Sequence, residues 1–293
     1  MAGVGERVND PPDPGLVARV RAALDEDVGG GDVTTEATVP MDVPGRARIV
    51  ARQAGVVAGL EAARETFRQV DPAVDFRPVG EDGARVEPGD LVAEATGSFT
   101  SLLVAERTAL NFLQRLSGVA TATARFVRAV EGTGATIVDT RKTTPGWRVL
   151  EKAAVRAGGG GNHRMGLWDA YLVKDNHLAG AGGVRAALAA VAAANVRGLP
   201  VEVEVRALDE LNEALAAEPP PDRILCDHFS LDDLREAVGR ARARRPGLVV
   251  EASGNVSLDT VRAVAATGVD WISVGALTHS ASALDLSCEI ERG

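Results

Sequence analysis

Cysteine is nearly missing: Cys226 and Cys288 are the only two, far apart and at no metal-binding spacing. Their scarcity excludes a disulfide-stapled scaffold and points to a reducing, cytoplasmic setting. Long apolar runs are missing too. The longest stretch without Asp, Glu, Lys or Arg, residues 271–284, is too short and too rich in Ser, Thr and His to cross a bilayer, which takes ~20 apolar residues. Residues 1–13 hold no apolar segment of the kind that opens a secretory signal, so no membrane or export role is expected. Nor is positive charge in excess. A net charge of −9 argues against general binding to nucleic acid or anionic membranes. What is present, 45% hydrophobic and 25% charged residues over 293 positions, suffices for one large domain or two ordinary ones and excludes disorder.

The rarest residue types gather in one place. All three lysines (Lys142, Lys152, Lys174) lie in residues 141–177, with His163, His177, Trp147, Trp168 and the only tyrosine, Tyr171. Seven cations face three anions there, so this window carries +4 while the rest of the chain carries −13.

Along the chain, residues 16–28 read as a helix that stops at Gly29-Gly30-Gly31. A strand at 45–53, a helix at 60–70, and short strands at 76–78 and 91–95 around the turn Glu87-Pro88-Gly89-Asp90 follow. A long helix over about 100–130, interrupted near Gly118, bridges two domains. Beyond residue 135 the pattern becomes regular: apolar runs at 136–139, 170–173, 201–205, 223–226, 248–250 and 271–274 alternate with helical segments. Ser230-Leu231-Asp232-Asp233 opens one of these helices as a capping box does. Strand–helix repeats imply parallel strands, in either a doubly wound sheet or a small α/β barrel.

The strand ends favour the barrel. A polar or glycine signal follows each of the six runs: Asp139-Thr140-Arg141-Lys142, Lys174-Asp175-Asn176-His177, Glu204, Asp227-His228, Ser253-Gly254-Asn255 and Ser273-Val274-Gly275. On α/β barrels such ends converge on one mouth. Arg141, Lys142, His163, Arg164 and Lys174 then form a cationic wall for a small polyanion, since arginine forks fit carboxylates and lysine suits phosphate. Glu204 and Asp227 suit Mg²⁺ or a positive charge developing on a sugar. The glycine signals bring backbone N–H groups to a phosphate. Arg148, Lys152 and Arg156 read as solvated surface cations. The four-glycine run Gly158-Gly159-Gly160-Gly161 reads as close backbone approach, loop motion or a flexible linker.

Asp139-Thr140-Arg141-Lys142-Thr143-Thr144-Pro145-Gly146, Leu150-Glu151-Lys152, the run from Gly158 through Asn162-His163-Arg164, and Leu172-Val173-Lys174-Asp175-Asn176-His177 resemble the quinolinate phosphoribosyltransferases, or carboxylating nicotinate-nucleotide pyrophosphorylases. Gly31-Asp32-Val33-Thr34-Thr35, Glu106-Arg107-Thr108-Ala109-Leu110-Asn111 and Ser273-Val274-Gly275-Ala276-Leu277-Thr278 extend the likeness over nearly the whole chain. The resemblance implies an α/β protein with an N-terminal mixed α/β domain (1–116, with 277–293 packing back on it) and a C-terminal incomplete barrel (117–276) of about six parallel strands. It implies transfer of a phosphoribosyl group from phosphoribosyl pyrophosphate to quinolinate with decarboxylation, on the route to NAD, with Mg²⁺. It also implies a homodimer with shared active sites, where Arg107 reaches the partner's site.

Carried residue by residue, the resemblance makes Lys142, Glu204 and Asp227 the catalytic groups. Lys142 serves the phosphoribosyl pyrophosphate, while Glu204 and Asp227 hold the ribose and metal side. Arg141, His163, Arg164 and Lys174, with Arg107 from the partner, hold the two quinolinate carboxylates; Ser253, Gly254, Asn255 and Gly275 hold the 5′-phosphate. Two departures touch the region of Asp227: His228 stands where the family commonly has Asn, and the insert Glu218-Pro219-Pro220-Pro221-Asp222 lengthens the spacing from Glu204. The competing readings are a nicotinate-type phosphoribosyltransferase without decarboxylation, a Schiff-base aldolase using Lys174, and a non-catalytic sensor.

Overall fold

The computed structural model describes residues 14–40 and 43–293, so the reading of residues 1–13 lies outside the described residues. Two compact units divide the chain: the residues up to Gly118 with Ala283–Gly293, and Val119–Ser282. The elements begin with α1 (Pro14–Val28), α2 (Val33–Thr38), β1 (Pro44–Ala51), β2 (Gly55–Val56) and α3 (Leu60–Val70). Then come β3 (Asp75–Pro78), β4 (Arg85–Val86), β5 (Leu91–Ser98) and α4 (Phe99–Ala129), the helix that leads from the first unit into the second.

The second unit continues with β6 (Thr136–Val138), α5 (Arg148–Ala157), β7 (Tyr171–Val173), α6 (Asp175–Ala181), α7 (Val184–Ala194), β8 (Val201–Val205) and α8 (Leu208–Leu215). It ends with β9 (Arg223–Asp227), α9 (Leu231–Arg244), β10 (Val249–Ser253), α10 (Val261–Ala265), β11 (Trp271–Ser273) and α11 (Ala276–His279). The last strand, β12 (Leu286–Arg292), belongs to the first unit.

In the first unit an antiparallel sheet runs β12-β1-β5-β3. β1 shows why it is a strand: Ala47, Ile49 and Ala51 are buried on one face, while Arg46 on the other pairs with Glu94 of β5 at 2.5 Å. α3 starts where Asp82 accepts the N–H groups of Gly59 and Leu60 (3.0 and 3.1 Å), and it buries Leu60, Ala63 and Phe67 along one stripe. Phe67 stacks on Phe76 of β3, ring centroids 5.5 Å apart, a pairing worth about 0.5–1.5 kcal/mol beyond burial. Leu102, Leu110 and Leu113 of α4 and Leu286 of β12 complete this core.

One expectation fails here. α4 is unbroken through Gly118. A helix-interior glycine costs about 1 kcal/mol, and the flanking residues Leu113, Leu116, Val119 and Ala120, all buried, outweigh it. The small elements α2, β2, β4 and β12 went unread in the sequence.

In the second unit six parallel strands lie in the order β6-β11-β10-β9-β8-β7. From β7 to β11, chain neighbours are spatial neighbours, and β6 follows β11, so the order never reverses. This is the winding of a barrel, since a doubly wound sheet would contain a switch point. β6 and β7 are the two edges of the sheet, and the barrel is incomplete, as expected.

Candidate active site

The strand ends of the second unit enclose a cavity of about 350 Å³. Its lining follows the period of two that a strand imposes: Leu172 and Lys174 at β7, Glu204 and Arg206 at β8, Leu225 and Asp227 at β9, Glu251 and Ser253 at β10. Thr140, Arg141, Lys142, His163, Arg164, His228 and Ser273 close it. Eight of the twelve expected site residues meet here: Arg141, Lys142, His163, Arg164, Lys174, Glu204, Asp227 and Ser253. Gly275 is not in the lining but lies against it, its absent Cβ leaving room for the Lys142 stem.

Gly254 and Asn255 are not in the lining. Their backbone sits in the left-handed region (φ +110° and +47°), and the Gly254 position packs against the His228 ring, which a Cβ would strike at 2.7 Å. Arg107 belongs to the first unit, on α4, with its side chain 58% exposed.

The cationic wall rests on a buried frame. Asp139, at the end of β6, accepts the His163 N–H (2.9 Å) and the Asn162 side-chain amide (2.6 Å). Lys152 of α5, fully buried, pairs with Asp139 and donates to the His163 carbonyl at 2.9 Å. Lys152 is therefore no surface cation: its stem crosses the interior, and its charge ties the loop carrying His163 and Arg164 to β6. Arg148 is also tied down, donating to Thr143 (3.0 Å) and to the Met165 carbonyl (3.1 Å), while Arg156 is exposed. The four glycines are no flexible linker. A Cβ at Gly158 would meet the Ala120 carbonyl at 2.4 Å, and one at Gly160 would meet Thr123 at 2.7 Å, so this loop is pressed against α4.

On that frame the guanidinium groups of Arg141 and Arg164 each keep a buried Nε–H without an acceptor. Burial, and then the repulsion of Arg141, depress the Arg164 pKa. Two unpaired donors held beside one another against their own repulsion are the mark of an anion site.

His163 is held differently. Its Nε2 lies 3.0 Å from Glu202 of β8 and 3.5 Å from Glu251 of β10, both fully buried. Burial opposes its charge, but the two carboxylates outweigh burial and push its pKa up to about 9. The Arg164 amide, 2.7 Å from Nδ1, works the other way, because it donates to a lone pair that only the unprotonated nitrogen has. The upward direction follows the carboxylates, which are full charges where the amide is a dipole. Glu202, Glu251 and His163 offer three ligand atoms within 4.8 Å of one another, a set able to take a metal ion. Arg223, 3.6 Å from Glu202 and stacked 4.5 Å above the Trp271 ring, already gives the cluster internal charge balance. Neither glutamate was singled out in the sequence, although the alternation Val201-Glu202-Val203-Glu204-Val205 places Glu202 one pleat below Glu204 on the same face.

The acidic wall is self-paired. Lys174 Nζ is 3.4 Å from one Glu204 oxygen, and Arg206, also unread in the sequence, approaches Asp175 (2.9 Å), Glu204 (3.8 Å) and Asp227 (3.7 Å). The Pro-rich insert enters β9 at its N-terminal end, opposite the mouth, and the β8–β9 register pairs Glu204 with Leu225 without a break. It therefore does not disturb Asp227. His228 has φ +58°, its N–H bonded to the Ser253 carbonyl at 2.9 Å, and its ring faces the cavity. Ser230 caps α9 with half of the expected box: its hydroxyl accepts the Asp233 N–H at 3.1 Å and donates to the Asp233 carboxylate at 2.7 Å.

Comparison with known proteins gives one answer over both units. Residues 32–117 match the N-terminal domain family of quinolinate phosphoribosyl transferase, and residues 119–289 match its C-terminal domain family. The chain is 45% identical, over 92% of its length and 95% of the relative's, to a nicotinate-nucleotide pyrophosphorylase [carboxylating] of Mycobacterium leprae. It is 42% identical to a quinolinate phosphoribosyltransferase [decarboxylating] of Nicotiana tabacum, covering 93% of this chain and 81% of that one. Among solved structures, the nicotinate-nucleotide pyrophosphorylase of Francisella tularensis superposes with a TM-score of 0.91 at 39% identity, covering 98% of this chain and all of that one.

Proposed function

Because the chain belongs to the quinolinate phosphoribosyltransferase family, we propose that the barrel cavity joins quinolinate to phosphoribosyl pyrophosphate and removes one carboxylate. The products are nicotinate mononucleotide, pyrophosphate and CO₂, a step of NAD biosynthesis. The observation that carries the site assignment is the pair of buried, acceptor-less Nε–H groups on Arg141 and Arg164, set beside Lys174 in a cavity of small-molecule size.

Quinolinate is a rigid dianion. Arg141 and Arg164 take its carboxylates through charge-assisted hydrogen bonds, while Lys174 and the raised-pKa His163 add positive charge. Ser253 and Ser273 and the loop of Gly254, Asn255 and Gly275 hold the 5′-phosphate, and Lys142, at the open side, meets the pyrophosphate. The ring nitrogen attacks C1′ as the bond from C1′ to the pyrophosphate oxygen breaks, the electron pair leaving with pyrophosphate. Glu204 and Asp227 face the positive charge that develops on the sugar. The ribosylated ring is a cationic pyridinium. Its C2–carboxylate bond then breaks, CO₂ departs, and the electron pair left at C2 takes a proton. This chemistry demands position more than a proton-transfer group.

Two hard carboxylates at the mouth, with phosphate oxygens alongside, match the donors Mg²⁺ prefers, and Glu204 and Asp227 would hold it directly or through water. When bound it supplies neutralisation of the leaving pyrophosphate. Arg107, exposed on α4 with only a 4.0 Å approach to Glu106, is assigned to the partner's site in a homodimer. Among the described residues no single helix is long and apolar enough to cross a membrane. The free thiols Cys226 and Cys288, each pushed by burial up to about 12, suit a cytoplasmic home.

The test is incubation with Mg²⁺, phosphoribosyl pyrophosphate and carboxyl-labelled quinolinate. Equal amounts of CO₂ and nicotinate mononucleotide are expected. Neither product from folded protein would favour a sensor, and borohydride trapping at Lys174 an aldolase.

A further inference from the structure

Arg206 follows the last residue of β8, two positions beyond Glu204 and on the same side of the chain. Its backbone is fixed, because its N–H donates to Glu210 at 2.7 Å. Its side chain is 56% exposed, and of its three carboxylate neighbours only Asp175 lies within hydrogen-bond distance, at 2.9 Å. The approaches to Glu204 (3.8 Å) and Asp227 (3.7 Å) are attractions across a gap. Such exposed pairs are weak and easily rearranged. The guanidinium thus stands over the two carboxylates that, on the reading above, take the divalent cation.

We infer that Arg206 is a built-in counter-ion of the Glu204–Asp227 pair: it competes with the divalent cation in the free protein and moves aside when the metal arrives with phosphoribosyl pyrophosphate. The inference rests on the assignment of those two carboxylates to the metal. Within the ion-paired group of the acidic wall Asp175, Glu204 and Asp227 carry three negative charges, and Lys174 and Arg206 two positive ones. A metal approaching this group meets one net negative charge with Arg206 in place and two without it. At separations of a few ångströms near a protein surface, one charge changes affinity by on the order of tenfold or more. A liganded phosphate chain brings its own negative charge and removes the handicap, so metal and phosphoribosyl pyrophosphate enter together.

Mn²⁺ is the probe, titrated into the full-length protein with no other ligand, its free concentration followed by electron paramagnetic resonance. Arg206→Gln is expected to bind Mn²⁺ at least tenfold more tightly than the wild type, and Arg206→Lys to stay near the wild type. Adding Glu204→Gln to Arg206→Gln should abolish the gain. With phosphoribosyl pyrophosphate present, wild type and Arg206→Gln should converge. An Arg206→Gln protein with unchanged or weaker Mn²⁺ affinity overturns the inference. If Mn²⁺ binding with phosphoribosyl pyrophosphate still depends on Glu204 in that case, only the role of Arg206 is lost. If that binding ignores Glu204→Gln, the metal assignment itself is wrong and the inference falls with it.

Discussion

The two walls of the cavity carry opposite charge and are finished to different degrees. On the wall built from the end of β6 and the loop after α5, Arg141 and Arg164 keep buried donors without acceptors. On the wall built from β8 and β9, Glu204 already faces Lys174 and Arg206, and Asp227 faces Arg206. The first wall is incomplete until an anion arrives; the second is neutralised in advance and must be opened. On the proposed function, substrate selection would fall to the cationic wall, and the entry of metal and phosphate to the acidic one.

The strongest way to break this contrast is to remove the frame behind the cationic wall. Lys152→Met leaves Asp139 buried without its partner and should cost about 3–5 kcal/mol of stability, read as a loss in urea midpoint. A loss under 1 kcal/mol would mean that Lys152 is as dispensable as a surface cation. Next in size is the titration of His163. Its folded pKa of about 9 lies above the ordinary 6.5, so the stabilisation it brings is complete below pH 6.5 and disappears as pH rises through 9. The span is on the order of 3 kcal/mol, and His163→Gln should flatten stability across that window; an unchanged profile would show that the carboxylates do not charge the ring. Arg141→Ala should weaken quinolinate by about 1.5–3 kcal/mol in kcat/KM while leaving the KM for phosphoribosyl pyrophosphate nearly untouched. Mixed subunits carrying Arg107→Ala and Arg141→Ala should regain part of the activity, and verified heterodimers without recovery would argue against a shared site. His228→Asn, on the exposed rim, should change kcat/KM by under ~1 kcal/mol.

Much of this arrangement could be read from the chain. Five of the six barrel strands match their apolar runs to within one residue, and β10 runs three residues past its own, because a parallel buried strand leaves a continuous signature; the polar residues ending those runs converge on one cavity. What escaped has a common physical cause. Lys152 lies on a helix with Arg148 and Arg156, and sequence alone does not tell which of three cations crosses the interior to reach Asp139. Glu202 and Glu251 are acidic residues inside a barrel, tolerable only with His163 and Arg223, which come from distant parts of the chain. β12 is a strand only because β1, about 240 residues earlier, accepts it, and such a partner leaves no local trace. Arg206 lies one residue past its strand; the period of two still puts it beside Glu204, but a single arginine after a strand looks like any exposed surface cation in the sequence.

The division of labour between the walls is tested most directly by equilibrium binding of pyridine-2,3-dicarboxylate and pyridine-3-carboxylate to the wild type and to Arg141→Ala. The account predicts that the wild type prefers the dicarboxylate by tenfold or more and that the preference collapses in the variant. Equal affinities in the wild type, or a preference that survives Arg141→Ala, would contradict it.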